Sequence, residues 1–121
     1  MKALSEHAEQ VALMQWTADM ATIWPEIQLL FAVCNGARTS IGTARKLVAS
    51  GLKKGVPDLF LPVARAGYHG LFIEMKAMRR GAKLSPEQAS WRNWLRDQGY
   101  AHEVCHGALA AAAVLTGYLR S

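Results

Sequence analysis

Lys54-Gly55-Val56-Pro57-Asp58-Leu59-Phe60-Leu61-Pro62-Val63 is followed, past a short Gly-containing gap, by His69-Gly70-Leu71-Phe72-Ile73-Glu74-Met75-Lys76. Asp58 to Val63 and His69 to Met75 are short apolar runs bounded by Gly and Pro, so each is predicted to be a strand. Ala64 to Tyr68, with Gly67, is a hairpin connection. Pro62 marks an edge or the end of the first strand. A hairpin centred on Ala66 pairs 63 with 69, 61 with 71 and 58 with 74. Directly opposed residues have Cβ atoms about 4.5–5.5 Å apart and share a face. Asp58 then faces Glu74. Lys76, two residues on, lies on the same side of the pleat. A slip of one residue would send Glu74 to the other face.

Working outward, Ser5 to about Ala21 is predicted to be a helix capped by Ser5, with Leu4, Ala8, Val11 and Met14 or Gln15 as its apolar stripe. Trp24-Pro25 ends it. Pro25 to Phe31 reads as a short helical turn, and Leu29 to Val33 reads equally as a strand. Asn35-Gly36 is a turn signal. A second helix opens at Thr39 or Ser40, with Ile41, Ala44, Leu47 and Val48 on one side and Gly51 as its C-cap. Ser85-Pro86-Glu87-Gln88 carries a capping box and an N1 proline, so a third helix runs from there to about Gln98, with Trp91, Trp94 and Leu95 inward. Tyr100 to Cys105 is a third strand and Gly107 to Leu119 a closing helix. The expected fold class is α/β, a small mixed β-sheet flanked by helices.

The length of 121 residues suits one domain, 1–121, able to bury roughly two-thirds of its unfolded surface. The 51% apolar and 19% charged content is that of a folded protein. No apolar run reaches the ~20 residues of a membrane span, and the acidic N-terminus does not read as a signal peptide. Two cysteines, Cys34 and Cys105, are too few for a disulfide framework, so core thiols and a reducing, cytoplasmic compartment are expected. The net charge of +5 is unevenly placed: residues 38–96 hold twelve basic and three acidic side chains, a local +9. A basic centre suits a polyanion such as nucleic acid. Its three acids, Asp58, Glu74 and Glu87, are the anomaly.

Two carboxylates as close as Asp58 and Glu74 repel unless a positive charge sits between them. Lys76 is one candidate, giving an ion-pair cluster without chemistry. A divalent metal is the other, and hard oxygen ligands favour Mg²⁺ or Mn²⁺. A metal there would activate water and stabilise charge on a phosphate. Other features read as structural. Trp91 and Trp94 fit a core helix better than a base-stacking platform. His69, His102 and Cys105-His106 make no zinc set.

Pro57-Asp58 with Glu74-Met75-Lys76 resembles the motif of the PD-(D/E)XK nuclease superfamily. The wider string is more specific. Asn35-Gly36, Gly51, Lys54 to Leu59, Gly70 to Lys76, Leu84 to Gln88, Gly99-Tyr100 and Tyr118-Leu119 together resemble the VRR-NUC branch, the virus-type replication-repair nucleases, over nearly the whole chain. The resemblance implies a restriction-endonuclease-like core. It implies metal-binding carboxylates at Asp58 and Glu74, a catalytic lysine at Lys76 and a site glutamine at Gln88. It also implies a first-helix glutamate, for which Glu6 is chosen and Glu9 held in reserve. The backbone carbonyl of Met75 is a further candidate ligand.

On this reading the chain is expected to be a Mg²⁺- or Mn²⁺-dependent DNA endonuclease. Lys53, Lys54, Arg79, Arg80 and Lys83 would track the phosphate backbone, extended by Arg38 and Lys46. Stand-alone members of the family resemble junction-resolving enzymes that act as homodimers, which implies four-way (Holliday) junction DNA and a bacterial or phage-infected host cell. Trp16 and Trp24 are candidates for the dimer surface. Flap, nick or restriction-like cleavage, or a non-catalytic nucleic-acid-binding module on the same fold, are the alternatives.

Overall fold

Three serines set the helix starts by the same local chemistry. In the computed structural model, which describes residues 4–33, 40–79 and 81–121, Ser5, Ser40 and Ser85 each accept a backbone N–H with the side-chain oxygen. They open helices α1 (Glu6–Met20), α2 (Ile41–Ala49) and α3 (Pro86–Asp97). Ser85 forms the full capping box with Gln88. Helix α4 (Ala108–Arg120) has no side-chain cap of its own. Both readings of the segment after Pro25 are realised in succession. A 3-10 helix (Pro25–Leu29) is followed by strand β1 (Phe31–Ala32). Cys34, the Asn35-Gly36 turn, Arg38, Thr39 and Arg80 lie outside the described residues.

Strands β2 (Leu59–Leu61), β3 (Leu71–Lys76) and β4 (Ala101–His106) complete a mixed sheet in the order β1-β2-β3-β4. β1, β2 and β3 run antiparallel; β3 and β4 are parallel, joined by the α3 crossover. The β2–β3 register pairs Leu59 with Ile73, Phe60 with Phe72 and Leu61 with Leu71, the register expected from the hairpin arithmetic. The tip differs. Ala66 and Gly67 both have positive φ, and Arg65 pairs with Tyr68, so the turn is a two-residue type I′ connection. Val63 and His69 do not pair; the His69 N–H instead reaches the Gly99 carbonyl at 2.9 Å. Pro62 ends β2 because it has no N–H to continue the ladder.

The pleat sorts the strands into two faces. Leu59, Leu61, Leu71, Ile73 and Met75 share one face and are buried against Leu13 of α1 and Ala111, Leu115 and Leu119 of α4. Burying each such side chain contributes about 1.5–3 kcal/mol. Phe60, Phe72, Glu74 and Lys76 alternate to the opposite face. The buried line of α1 is Glu9, Leu13 and Thr17, not the expected Leu4, Ala8, Val11 stripe; Leu4 and Val11 are exposed. Apolar residues occur all around this helix, so its own periodicity does not choose a face. In α2, Ile41 and Val48 are likewise exposed.

Trp91, Trp94 and Leu95 do not form the inward core expected of α3. The helix has no fully buried residue, and Trp94 is 66% exposed. What α3 covers is polar. Arg96 donates to the carbonyl of His102 at 3.0 Å, and the His102 ring is 1% exposed with neither nitrogen hydrogen-bonded among the described residues. Burial, with the charges of Arg96 and Arg92, pushes the His102 imidazole down from 6.5 to about 4.

Two stability predictions follow from these elements. Ala66 holds a left-handed conformation at φ 51°, so Ala66→Asn is expected to stabilise the fold by up to about 1 kcal/mol, read as a higher urea midpoint. Between pH 6.5 and 4 the unfolded chain binds a proton at His102 that the folded chain refuses, so this group withdraws stability as pH falls. His102→Leu is expected to remove that loss, up to roughly 3 kcal/mol, when urea midpoints of variant and parent are compared at each pH.

Candidate metal centre

The hairpin end opposite the turn is where the chemistry-bearing side chains meet. Continued by two residues, the β2–β3 register would set Pro57 opposite Met75. Proline has no N–H to offer the Met75 carbonyl, so the ladder cannot close there. The Asp58 side chain takes over: its Oδ2 accepts the Met75 N–H at 2.7 Å. Main-chain N–H and C=O of one residue leave a strand on the same side, so the Met75 carbonyl points toward the same gap. The expected juxtaposition of Asp58 and Glu74 is present, with Asp58 immediately before β2 rather than inside it.

One carboxylate oxygen from each of Glu6, Asp58 and Glu74 lies within 4.8 Å of the others. Glu6 arrives from the first turn of α1, while Glu9 is engaged elsewhere. Its Oε1 accepts the Ala108 N–H at 3.3 Å and so caps α4, whose own N-cap, Gly107, has no side chain. Gly107 is also required sterically: a Cβ there would stand 2.6 Å from Met78 and 3.0 Å from Glu9 Oε2. The two glutamates one turn apart thus have separate tasks.

Glu74 is 1% exposed, and its Oε1 has no hydrogen-bond partner among the described residues. Burial first, then the hydrogen bond and charge of Asp58, raise its carboxyl from 4.5 to about 9; Lys76 opposes the shift and Glu6 adds to it. Lys76 does not neutralise the acids by contact. Its Nζ donates to Gln88 Oε1 at 2.9 Å, and the ion pairs among the described residues are Lys54–Glu87 and Arg65–Glu26. Gln88 Oε1 also accepts the Ser85 N–H at 2.8 Å, so one oxygen completes the capping box and holds the lysine. An orphaned buried carboxylate oxygen beside two further acids suits a divalent cation, and these three side chains have the donor chemistry to hold one.

A loop packed against α3 delivers Asp58. Gly55 has φ +93°, and a Cβ there would come within 2.8 Å of Glu87 backbone and side-chain atoms. Trp91 Nε1 donates to the Lys54 carbonyl at 3.1 Å, and Lys54 Nζ lies 3.5 Å from Glu87 Oε1. That pair is exposed and contributes little by itself. Lys46, Lys53, Lys54, Arg79 and Lys83 are exposed; Arg38 and Arg80 lie outside the described residues. Cys105 is buried, with its thiol pushed up to about 12 by burial, so it is an inert core thiol.

A hairpin that brings an Asp and a Glu-x-Lys to one end, with a helical glutamate added, is the arrangement of the PD-(D/E)XK nucleases. The sequence matches the VRR-NUC domain over residues 4–109. A solved structure described as a VRR_NUC domain protein superposes with a TM-score of 0.81 at 27% identity, covering 98% of this chain and 91% of its own. No curated protein matches. The chain belongs to the VRR-NUC family, and membership implies a nuclease of the PD-(D/E)XK type.

In the metal-free protein Glu74 takes up a proton on folding, so its contribution to stability is full below pH 4.5 and is lost as pH rises toward 9. Glu74→Gln is expected to raise the Tm of the metal-free protein at pH 8–9 by on the order of 5 °C, with the gain shrinking toward pH 5. Parent protein titrated with Mg²⁺ near pH 7.5 is expected to release a proton, read as a calorimetric heat that scales with buffer ionisation enthalpy. The Gln variant is expected to lose that dependence.

Proposed function

We propose that this chain is a metal-dependent DNA endonuclease that hydrolyses phosphodiester bonds. The observation that carries the reading is the trio of Glu6, Asp58 and Glu74 beside a lysine that is held by Gln88 instead of being spent on an ion pair. Glu6, Asp58, Glu74 and the Met75 carbonyl would hold Mg²⁺ or Mn²⁺. When bound, the ion supplies Lewis-acid stabilisation of phosphate charge and makes water a better nucleophile.

The chain's own groups do the rest. The Lys76 ammonium gives one donor to Gln88 and keeps two for the attacking water or a phosphate oxygen. Its charge is fixed beside the point where negative charge develops, so no reorganisation is needed at the moment of reaction. Asp58 keeps the Met75 carbonyl aimed at the gap by holding the same residue's N–H. Lys53, Lys54, Arg79 and Lys83, with Arg80, Arg38 and Lys46, bind the phosphate backbone without regard to sequence.

The preferred substrate on this reading is a branched duplex, the four-way junction first, cut by a homodimer. Two paired cuts across a junction are supplied by two-fold symmetry. The setting is the cytoplasm of a bacterial or phage-infected cell. No helix among the described residues is long and apolar enough to cross a membrane.

The test is incubation of purified protein with labelled four-way junction, flap, nicked and linear duplex in Mg²⁺, Mn²⁺ or EDTA, beside Glu74→Ala and Lys76→Ala. Metal-dependent cleavage is expected, abolished in Glu74→Ala and lowered about 10²–10³-fold in Lys76→Ala. Symmetric junction cutting supports the resolvase reading, and a flap or nick preference redirects it. Tight binding with no cutting in either metal overturns the enzyme and leaves a binding module.

A further inference from the structure

Two joined grooves run along α3 away from the metal centre. The first, about 330 Å³, is lined by Lys54, Pro86, Glu87, Ser90 and Trp91. The second, about 540 Å³, is lined by Ser90, Trp91, Trp94, Leu95 and Gln98. Ser90 and Trp91 belong to both, so the track is continuous. It begins one turn from Gln88, whose side chain holds Lys76. Trp91, Leu95 and Gln98 follow Gln88 at helical spacing, and Trp94 flanks them. Trp94 lies about 9 Å along the helix axis from Gln88, close to the length of three stacked nucleotides at ~3.4 Å each.

The composition of the track is specific. Its floor is apolar and aromatic, and Trp94 is 66% exposed among the described residues. Its start is cationic: Lys54 lines it, and Lys53 is exposed next to Lys54 on the same loop. Lys54 screens the one carboxylate in the track, Glu87, which its charge helps hold below the usual carboxylate range. Trp91 is fixed by its bond to the Lys54 carbonyl, so the indole is preorganised instead of folding inward. A stable protein interface takes about 20–30 residues a side, far more than this narrow strip supplies. Exposed stacking faces leading away from a cationic loop suit unpaired nucleic acid, whose bases stack while its phosphates meet lysine.

We infer that the α3 track binds a single-stranded DNA segment next to the scissile phosphate, with Trp94 as a stacking platform for an unpaired base. The inference rests on the nuclease reading and deepens it. It makes unpaired nucleotides beside the cut, such as those of a flap or an opened junction, part of what the site selects.

The experiment is fluorescence anisotropy in EDTA at fixed salt, with labelled oligo-dT and an abasic oligomer of the same length, using the full chain, Trp94→Ala and Trp94→Phe. Parent protein is expected to bind oligo-dT about 10- to 100-fold more tightly than the abasic probe. Trp94→Ala is expected to erase most of that ratio and Trp94→Phe to keep most of it. Equal affinity of parent protein for both probes overturns the inference. So does an unchanged ratio in a folded Trp94→Ala, or a dimer in light scattering that Trp94→Ala converts to monomer, because the strip is then buried in a second copy. Cleavage of junction and flap is measured on the same preparations. Cutting without base dependence defeats the platform alone, whereas base dependence without any cutting supports the platform and defeats the nuclease reading.

Discussion

Every part of the centre leans on the close approach of Asp58 and Glu74, whose carboxyl oxygens lie within 4.8 Å of one another. Two ionised carboxylates at that distance would repel, and in the metal-free protein burial, with Asp58 beside it, favours the protonated form of Glu74 while the fold keeps the two together. Pro57 stops the ladder, Asp58 replaces it through the Met75 N–H, and Glu74 is carried inward on the strand next to it. The energy of that arrangement comes from elsewhere. Leu59, Leu61, Leu71, Ile73 and Met75 on the other face, packed on α1 and α4, secure the hairpin that carries both acids.

Helices α1 and α3 then add polar side chains around this hairpin end. Helix α1 contributes Glu6 to the acids and Glu9 to the start of α4. Helix α3 contributes Gln88, whose carbonyl oxygen serves its own N-terminus and Lys76 together. This double use explains why the capping glutamine and the site glutamine are the same residue. A lysine left to itself next to two acids would collapse onto them as a salt bridge. Held by a neutral oxygen, it uses one donor on Gln88 and has two more to offer.

The loop from Lys54 to Pro57 is the mechanical link between α3 and the acids. Gly55 lets the chain run against the first turn of α3, and Trp91 pins the loop from one turn further along. The same indole opens onto the exposed strip ending at Trp94.

Much of this was legible in the residues alone. The hairpin register followed from strand alternation and a Gly-containing turn, because both act over neighbouring residues. The caps at Ser5 and Ser85 were legible for the same reason, while for α2 the residues left Thr39 or Ser40 open and the structure uses Ser40; Asp58 and Glu74 came together as the pleat required. The sequence alone did not determine which side of a helix turns inward. Glu6 and Glu9 lie on nearly the same helical face, and only the packing of α4 against α1 separates the acid that joins Asp58 and Glu74 from the one that caps α4. Trp94 reads as core because it falls in a helix beside Trp91 and Leu95, yet it is 66% exposed. His102 looked like an ordinary strand residue, and only the Arg96 contact over it shows how deeply it is sunk. Register and capping are decided by bonds between residues close in the chain. Burial is decided by surfaces that meet only when distant segments assemble, and no local pattern records which of them will be left uncovered.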